Sequence, residues 1–211
     1  MITSKTAHFK LPYSSKYQKT YNSPPISTVI GMLKVLFGED IDNFIFGYTF
    51  RFDTKFEDAM NIEKININDI GYIGDSSLRY KRVTDSGIRE YLYDCVLTIY
   101  TDIDLPIKMD YCLTMGRSNN LARVHFPFAE VNLKQEEGKG YNQYTTVNIG
   151  TGKISPIAYY SKYNDITQSF DTSIKHLRFN EVFDYDKNYD EETEENIFLW
   201  EMKGGDIVEL S

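Results

Sequence analysis

The sequence has few cysteines, few histidines and no long apolar run. Cys95 and Cys112 sit in apolar, strand-like surroundings with no C-x-x-C, so both are expected to be buried free thiols rather than a disulfide or a metal site. The opening MITSKTAHFKLP contains no apolar stretch of signal-peptide length, and no later run approaches a membrane span. The expectation is a soluble, cytoplasmic chain without membrane contact. His8, His125 and His176 are scattered, and no H-E-x-x-H, G-x-S-x-G or P-loop occurs. No metal or cofactor is implied. Asp102 and Asp104 form a D-x-D, but Pro106 and the polar context make it a turn.

What is present is hydrophobic material for a core, 41% of residues, with 15% aromatic. The net charge of −8 is local in origin. Residues 181–196, EVFDYDKNYDEETEEN, carry eight acidic groups and one lysine, leaving 23 acidic and 22 basic residues elsewhere. The segment is expected to be a solvated loop that no polyanion approaches. Any anion site must then come from clustering of basic residues, since the remaining charge is nearly balanced.

Periodicity predicts one helix and many strands. In SPPISTVIGMLKVLFGED, residues 23–40, Ile26, Val29, Ile30, Leu33, Leu36 and Phe37 fall on one helical face. Ser27 or Thr28 is positioned to cap its first amides, and Gly38 to end it in a left-handed conformation. Two prolines and two hydroxyls exceed what a packing helix needs, and suit a helix start that meets an anion. ITSKTAHFKL, NFIFGYTFRF, MDYCLTM, RVHFPFAEVNL (an edge or a bend, by Pro127) and NIFLWEM read as strands. Residues 53–75 read as short strands. SLRYKRVTDSGIREYLYDCVLTIYT reads as two arms around a turn at Thr84–Gly87. The fold class is therefore α+β, a ferredoxin-like antiparallel sheet with a basic β-hairpin insertion and a smaller C-terminal β extension. The Gly-rich stretch 138–152 is the candidate boundary between a core, residues 1–137, and that extension, residues 138–211, which holds the acidic segment.

Three basic groupings stand out as candidate contacts for a phosphate-bearing ligand. Between Tyr13 and Tyr21, Lys16 and Lys19 alternate with Tyr17, so lysines can meet phosphates while tyrosines stack on bases; a solvated loop with its tyrosines folded on the sheet explains the pattern equally well. Arg79, Lys81, Arg82 and Arg89 span the basic hairpin, and strand alternation lets only part of this set face one ligand; cross-strand pairing with Asp85 or Glu90 explains the set equally well. In MGRSNNLA, residues 115–122, the Gly116 turn places Arg117 beside Ser118, whose hydroxyl can cap a short helical turn. Backbone amides beside a guanidinium fork make a phosphate seat, although a plain turn also explains Gly-Arg-Ser taken alone. For metal-free RNA cleavage, His8 with a nearby tyrosine or lysine could supply the base and the acid.

Taken in order, AHFKLP at 7–12, PPISTVIGML at 24–33, IREYLYD at 88–94 and MGRSNNLA at 115–122 resemble motifs of the Cas-five family of CRISPR-associated (RAMP) proteins. IFLWEM near the end is compatible. The resemblance implies a non-catalytic RNA-binding subunit of a type I Cascade ribonucleoprotein, with type I-B as the subtype, serving antiviral defence. Such a subunit caps the 5′ handle of CRISPR RNA, packs beside Cas-seven-type backbone and Cas-eight-type large subunits, and meets target DNA only indirectly. Lys10, Ser27, Thr28, Gly116, Arg117 and Ser118 would face the RNA backbone. One branch of the family cleaves repeat RNA itself, so a metal-independent endoribonuclease is the alternative. Two departures stand out: only TDIDLPIK, residues 101–108, is available for the family's second helix, and Asn119 and Asn120 replace its acidic pair.

Overall fold

The computed structural model describes residues 1–12, 14, 16–65, 82–109 and 111–210. The chain opens on strand β1 (Ile2–Ala7) and a two-residue strand β2 (Tyr17–Gln18), then enters helix α1 (Ile26–Phe37). Strands β3 (Phe44–Arg51), β4 (Thr54–Ile65), β5 (Arg82–Thr101) and β6 (Ala122–Val124) follow. The predicted helical face is the buried one, with Met32 joining it.

These strands form one antiparallel sheet apart from β2. β5 lies between β3 and β1, and β1 lies between β5 and β6. α1 therefore connects two strands that have a third between them. β4 pairs along its whole length with the first half of β5, from Thr54 opposite Tyr93 to Ile65 opposite Arg82. Thr84–Gly87 is thus not a turn but ladder, because twelve consecutive β4 residues find partners there. Residues 66–81, including Arg79 and Lys81, lie outside the described residues. Arg82 opens β5, and only its backbone is described.

Strands β7 (Gly138–Thr145), β8 (Lys153–Asn164) and β9 (Ser169–Tyr185) make a second sheet in the order β7-β9-β8. A short ladder joins β10 (Tyr189–Asp190) to β11 (Glu195–Asn196), and β12 (Leu199–Lys203) with β13 (Asp206–Glu209) returns to the edge of the large sheet beside β3. The stretch at 138–152 thus begins the second sheet, but the chain after it also completes the first. Gly47 permits the return of β12, since a Cβ there would stand 2.7 Å from side-chain atoms of Ile197 and Leu199. One apolar cluster joins α1, the large sheet and the second sheet, with Phe46, Phe50, Leu33, Leu97 and Ile157 fully buried. Each such side chain contributes about 1.5–3 kcal/mol of transfer free energy.

Three other expectations are corrected. Residues 111–115 form no strand, because Thr114 makes only an isolated bridge to Leu121; Cys112 is consequently exposed, while Cys95 is buried and its thiol pushed up to about 12 by burial. RVHFPFAEVNL shortens to the edge strand β6. The acidic segment is not a solvated loop. It contains the end of β9 and all of β10 and β11, and two of its carboxylates are buried. Asp190 accepts from the Tyr100 hydroxyl at 2.7 Å and the Thr193 hydroxyl at 3.0 Å, and Glu195 pairs with Arg51. Buried carboxylates persist only with such partners. The second-helix departure agrees with the fold: residues 102–109 carry no helix, and Asp102 instead accepts the Ile45 amide at 2.7 Å. No described helix is long and apolar enough to cross a membrane.

Candidate functional site

Where β1 ends, the chain passes between the start of α1 and the Gly116 turn. A cleft of about 310 Å³ opens there, lined by His8, Phe9, Lys10, Pro25, Thr28, Gly116 and Arg117. Segments separated by more than a hundred residues meet here because β1 sits centrally and the helix start and the turn flank it.

Gly116 sets the cleft's narrow wall. Its φ is +97°, and a Cβ would overlap the His8 carbonyl oxygen. Only glycine has both the conformation and the room. The turn is closed by Asn120, whose amide donates to the Arg117 carbonyl at 2.9 Å and whose carbonyl accepts from the Met115 amide at 2.7 Å. The Asn120 side chain is buried and donates to Thr6 Oγ1 at 2.6 Å. Asn120 is therefore an anchor in the sheet, where a carboxylate would carry a buried charge. Ser118 and Asn119 are exposed in this turn, which is a single turn and not a helix that Ser118 caps.

From the cleft wall, the Arg117 guanidinium reaches Gln18 of β2. Its Nη1 donates to Gln18 Oε1 at 3.2 Å, and Arg89 Nε donates to the same oxygen at 2.9 Å. Arg89 Nη1 also reaches the Tyr91 hydroxyl at 3.1 Å. Neither guanidinium has an ion pair among the described residues; Asp58 stands opposite Arg89 in the ladder without forming one. The Arg117 pKa is lowered, first by burial and second by the neighbouring Arg89 charge. Among the described residues, the two cations share one neutral amide oxygen with no carboxylate between them.

His8 completes the arrangement. It is buried, its Nδ1–H donates to the Glu90 carbonyl at 2.7 Å, and its Nε2 has no partner among the described residues. Burial, then the charges of Arg89, Arg117 and Lys10, lower its pKa against the opposing pull of the Glu90 carbonyl. The unfolded chain, at about 6.5, takes the proton first. His8 therefore adds nothing to the pH dependence of stability above about pH 6.5 and costs stability as pH falls below that value. The melting temperature should drop between about pH 7.5 and pH 5.5, and the drop should be smaller in His8→Phe. Parallel pH profiles for the two proteins would contradict this assignment.

The other candidate residues divide. Lys10 and Thr28 line the cleft; Ser27 is half-buried in the first turn of α1 without lining it. Neither hydroxyl caps the helix. The cap is Pro25, whose carbonyl accepts the Thr28 amide at 2.9 Å, and Ser23, Pro24 and Pro25 are buried. The two prolines serve packing, since Tyr48 donates to the Pro24 carbonyl at 2.7 Å. Tyr17 projects to the face opposite Gln18, because neighbouring residues of a strand alternate. There its hydroxyl donates to Glu57 at 2.5 Å and Glu90 at 2.9 Å, which raises its pKa. Tyr17 is thus separated from the arginine pair. The Lys16 carbonyl accepts the Ile88 amide at 2.8 Å, and Tyr21 donates to the Pro156 carbonyl at 2.9 Å; the tyrosine–lysine loop is folded onto the protein at these points. Tyr13 lies outside the described residues. Of the residues that organise the site, Gln18 carries no signal in the sequence, and Asn120 stands out there only as a departure from the family pattern.

No protein-family model matches this chain, and no curated protein matches it in sequence. Among solved structures, a chain titled "CRISPR RNA-guided surveillance complex" is similar, with a TM-score of 0.45 and 14% identity, covering 86% of this chain and 89% of that one.

Proposed function

We propose that this chain is a non-catalytic RNA-binding subunit of a type I CRISPR surveillance complex, holding the 5′ handle of the CRISPR RNA. In that assembly it joins a Cas-seven-type backbone subunit to a Cas-eight-type large subunit and meets target DNA only through the complex. The observation that carries the reading is the pair of Arg89 and Arg117 on Gln18 Oε1, without a carboxylate partner among the described residues, beside a cleft lined by Lys10, Thr28 and Gly116. A phosphate accepts bidentate hydrogen bonds from guanidinium forks and removes their mutual repulsion. Gly116 and Arg117 of the Gly-Arg-Ser motif line this cleft, which supports the reading. The order β3-β5-β1-β6, with α1 joining β1 to β3 across β5, supports a ferredoxin-like RAMP core in which the outer β4–β5 ribbon is the insertion.

The test is to supply the missing anion from within. Gln18→Glu places a carboxylate where the amide oxygen stood, so it should raise thermal stability while weakening single-stranded RNA binding at least tenfold. Undiminished RNA binding by Gln18→Glu would refute the arginine pair as the phosphate seat.

One observation favours a second reading, a metal-independent endoribonuclease. His8 lines the cleft as a neutral imidazole whose buried Nε2 has no partner among the described residues, the protonation form a general base requires. Cleavage of repeat RNA in EDTA, lost in His8→Ala, would select that reading over the first.

A further inference from the structure

Beside the arginine pair, the same face of the sheet carries aromatic rings that the core does not absorb. Alternation along the ladder puts Phe56 of β4 and Arg89, Tyr91 and Tyr93 of β5 on one side, with Phe56 directly opposite Tyr91. The Phe56 and Tyr91 rings are stacked, 5.4 Å between centroids at 18°. Tyr93 stands edge-on to Phe56 at 6.4 Å, and the Arg89 guanidinium lies 5.9 Å from the Tyr91 centroid. Phe56 remains 37% exposed and Tyr93 41% exposed. Lys5, 5.8 Å from the Tyr93 centroid, borders the rings on the β1 side.

An exposed aromatic row on a sheet face costs solubility unless something covers it. Here the row is continuous with the cations, because Arg89 contacts both Tyr91 and the Gln18 oxygen that it shares with Arg117. A ligand that matches both parts is planar and apolar at one end and anionic at the other. A nucleotide within a single strand has this character: its phosphate meets the arginines and its base extends the stack. We infer that Phe56, Tyr91 and Tyr93 form a base-stacking platform for the nucleotide next to the phosphate held by Arg89 and Arg117. This rests on the RNA-binding reading above and adds where a base is held. Stacking on aromatic faces tolerates any base, so the platform binds without reading sequence. Tyr17, on the opposite face, takes no part.

The test uses the full chain and a short oligoadenylate with one 2-aminopurine, moved along the strand in separate preparations. Wild type should quench the probe at one position, as stacking does. Phe56→Leu, which keeps an apolar side chain but removes the ring, should lose that quench and about tenfold in affinity, within the usual range for one stacked base. Phe56→Trp should retain both, and Tyr17→Leu should leave the quench unchanged. If wild type binds in an Arg117-dependent manner while Phe56→Leu binds and quenches equally, the platform is refuted and the phosphate seat stands. A Phe56→Leu chain that binds RNA normally but fails to join a protein subunit would likewise overturn it, assigning the rings to a protein interface. If wild type does not bind the oligonucleotide at all, both readings fall together.

Discussion

Replacing Arg117 by alanine is expected to weaken single-stranded RNA binding by about 1.5–3 kcal/mol, the range for hydrogen bonds to a charged group. The usual alternative for a surface arginine is an ion pair with a carboxylate, and its removal would change stability slightly and affinity hardly at all. Among the described residues the guanidinium has only the neutral Gln18 oxygen, at 3.2 Å, and a neighbouring cation. Its loss should therefore leave the fold intact, relieving repulsion on Arg89. If one phosphate contact disappears, the slope of log K against log salt should become shallower by about 0.7. Arg117→Lys keeps the charge but not the fork, so affinity should return in part. Filter binding at several salt concentrations measures all of this. An unaltered slope with unaltered affinity would remove Arg117 from the interface.

Gly116→Ala should do more damage, to fold and to binding together. A residue with a side chain at φ +97° is strained by about 1–2 kcal/mol, and the new Cβ would overlap the His8 carbonyl oxygen. That oxygen belongs to buried backbone just past the end of β1, so it cannot yield as a flexible side chain would. Overpacking of this kind costs about 1–3 kcal/mol more. The total, about 2–5 kcal/mol, is a large share of a domain's stability. The turn that relaxes the clash is also the one that directs Arg117, so RNA affinity should fall even below the melting temperature. Chemical denaturation and RNA titration of the same preparation report the two losses. A Gly116→Ala protein as stable as wild type would mean that the turn adapts freely.

The sequence by itself determined much of the secondary structure. The spacing from Ile26 to Phe37 specified one helix and its buried face, and the aromatic and β-branched runs specified β1, β3 and β12. Those signals are local, set by the periods of helix and strand, and survive reading along the chain. The Gly116 turn was legible for the same reason. Thr84–Gly87 was misread because turn-forming residues also fit a long ladder when a partner strand supplies the hydrogen bonds. The acidic segment was misread because charge density does not reveal that Tyr100 and Arg51 await two of its carboxylates.

Tertiary structure alone decided the site. It brought Lys10, Thr28, Gly116 and Arg117 to one cleft, and it set Tyr17 on the wrong face for the arginine pair through the parity of a two-residue strand. It also made Gln18 the shared acceptor of Arg89 and Arg117, residues 71 and 99 positions away. Which side of a sheet a residue faces, and what it meets there, depends on register between distant strands, and register is fixed only when the whole core closes.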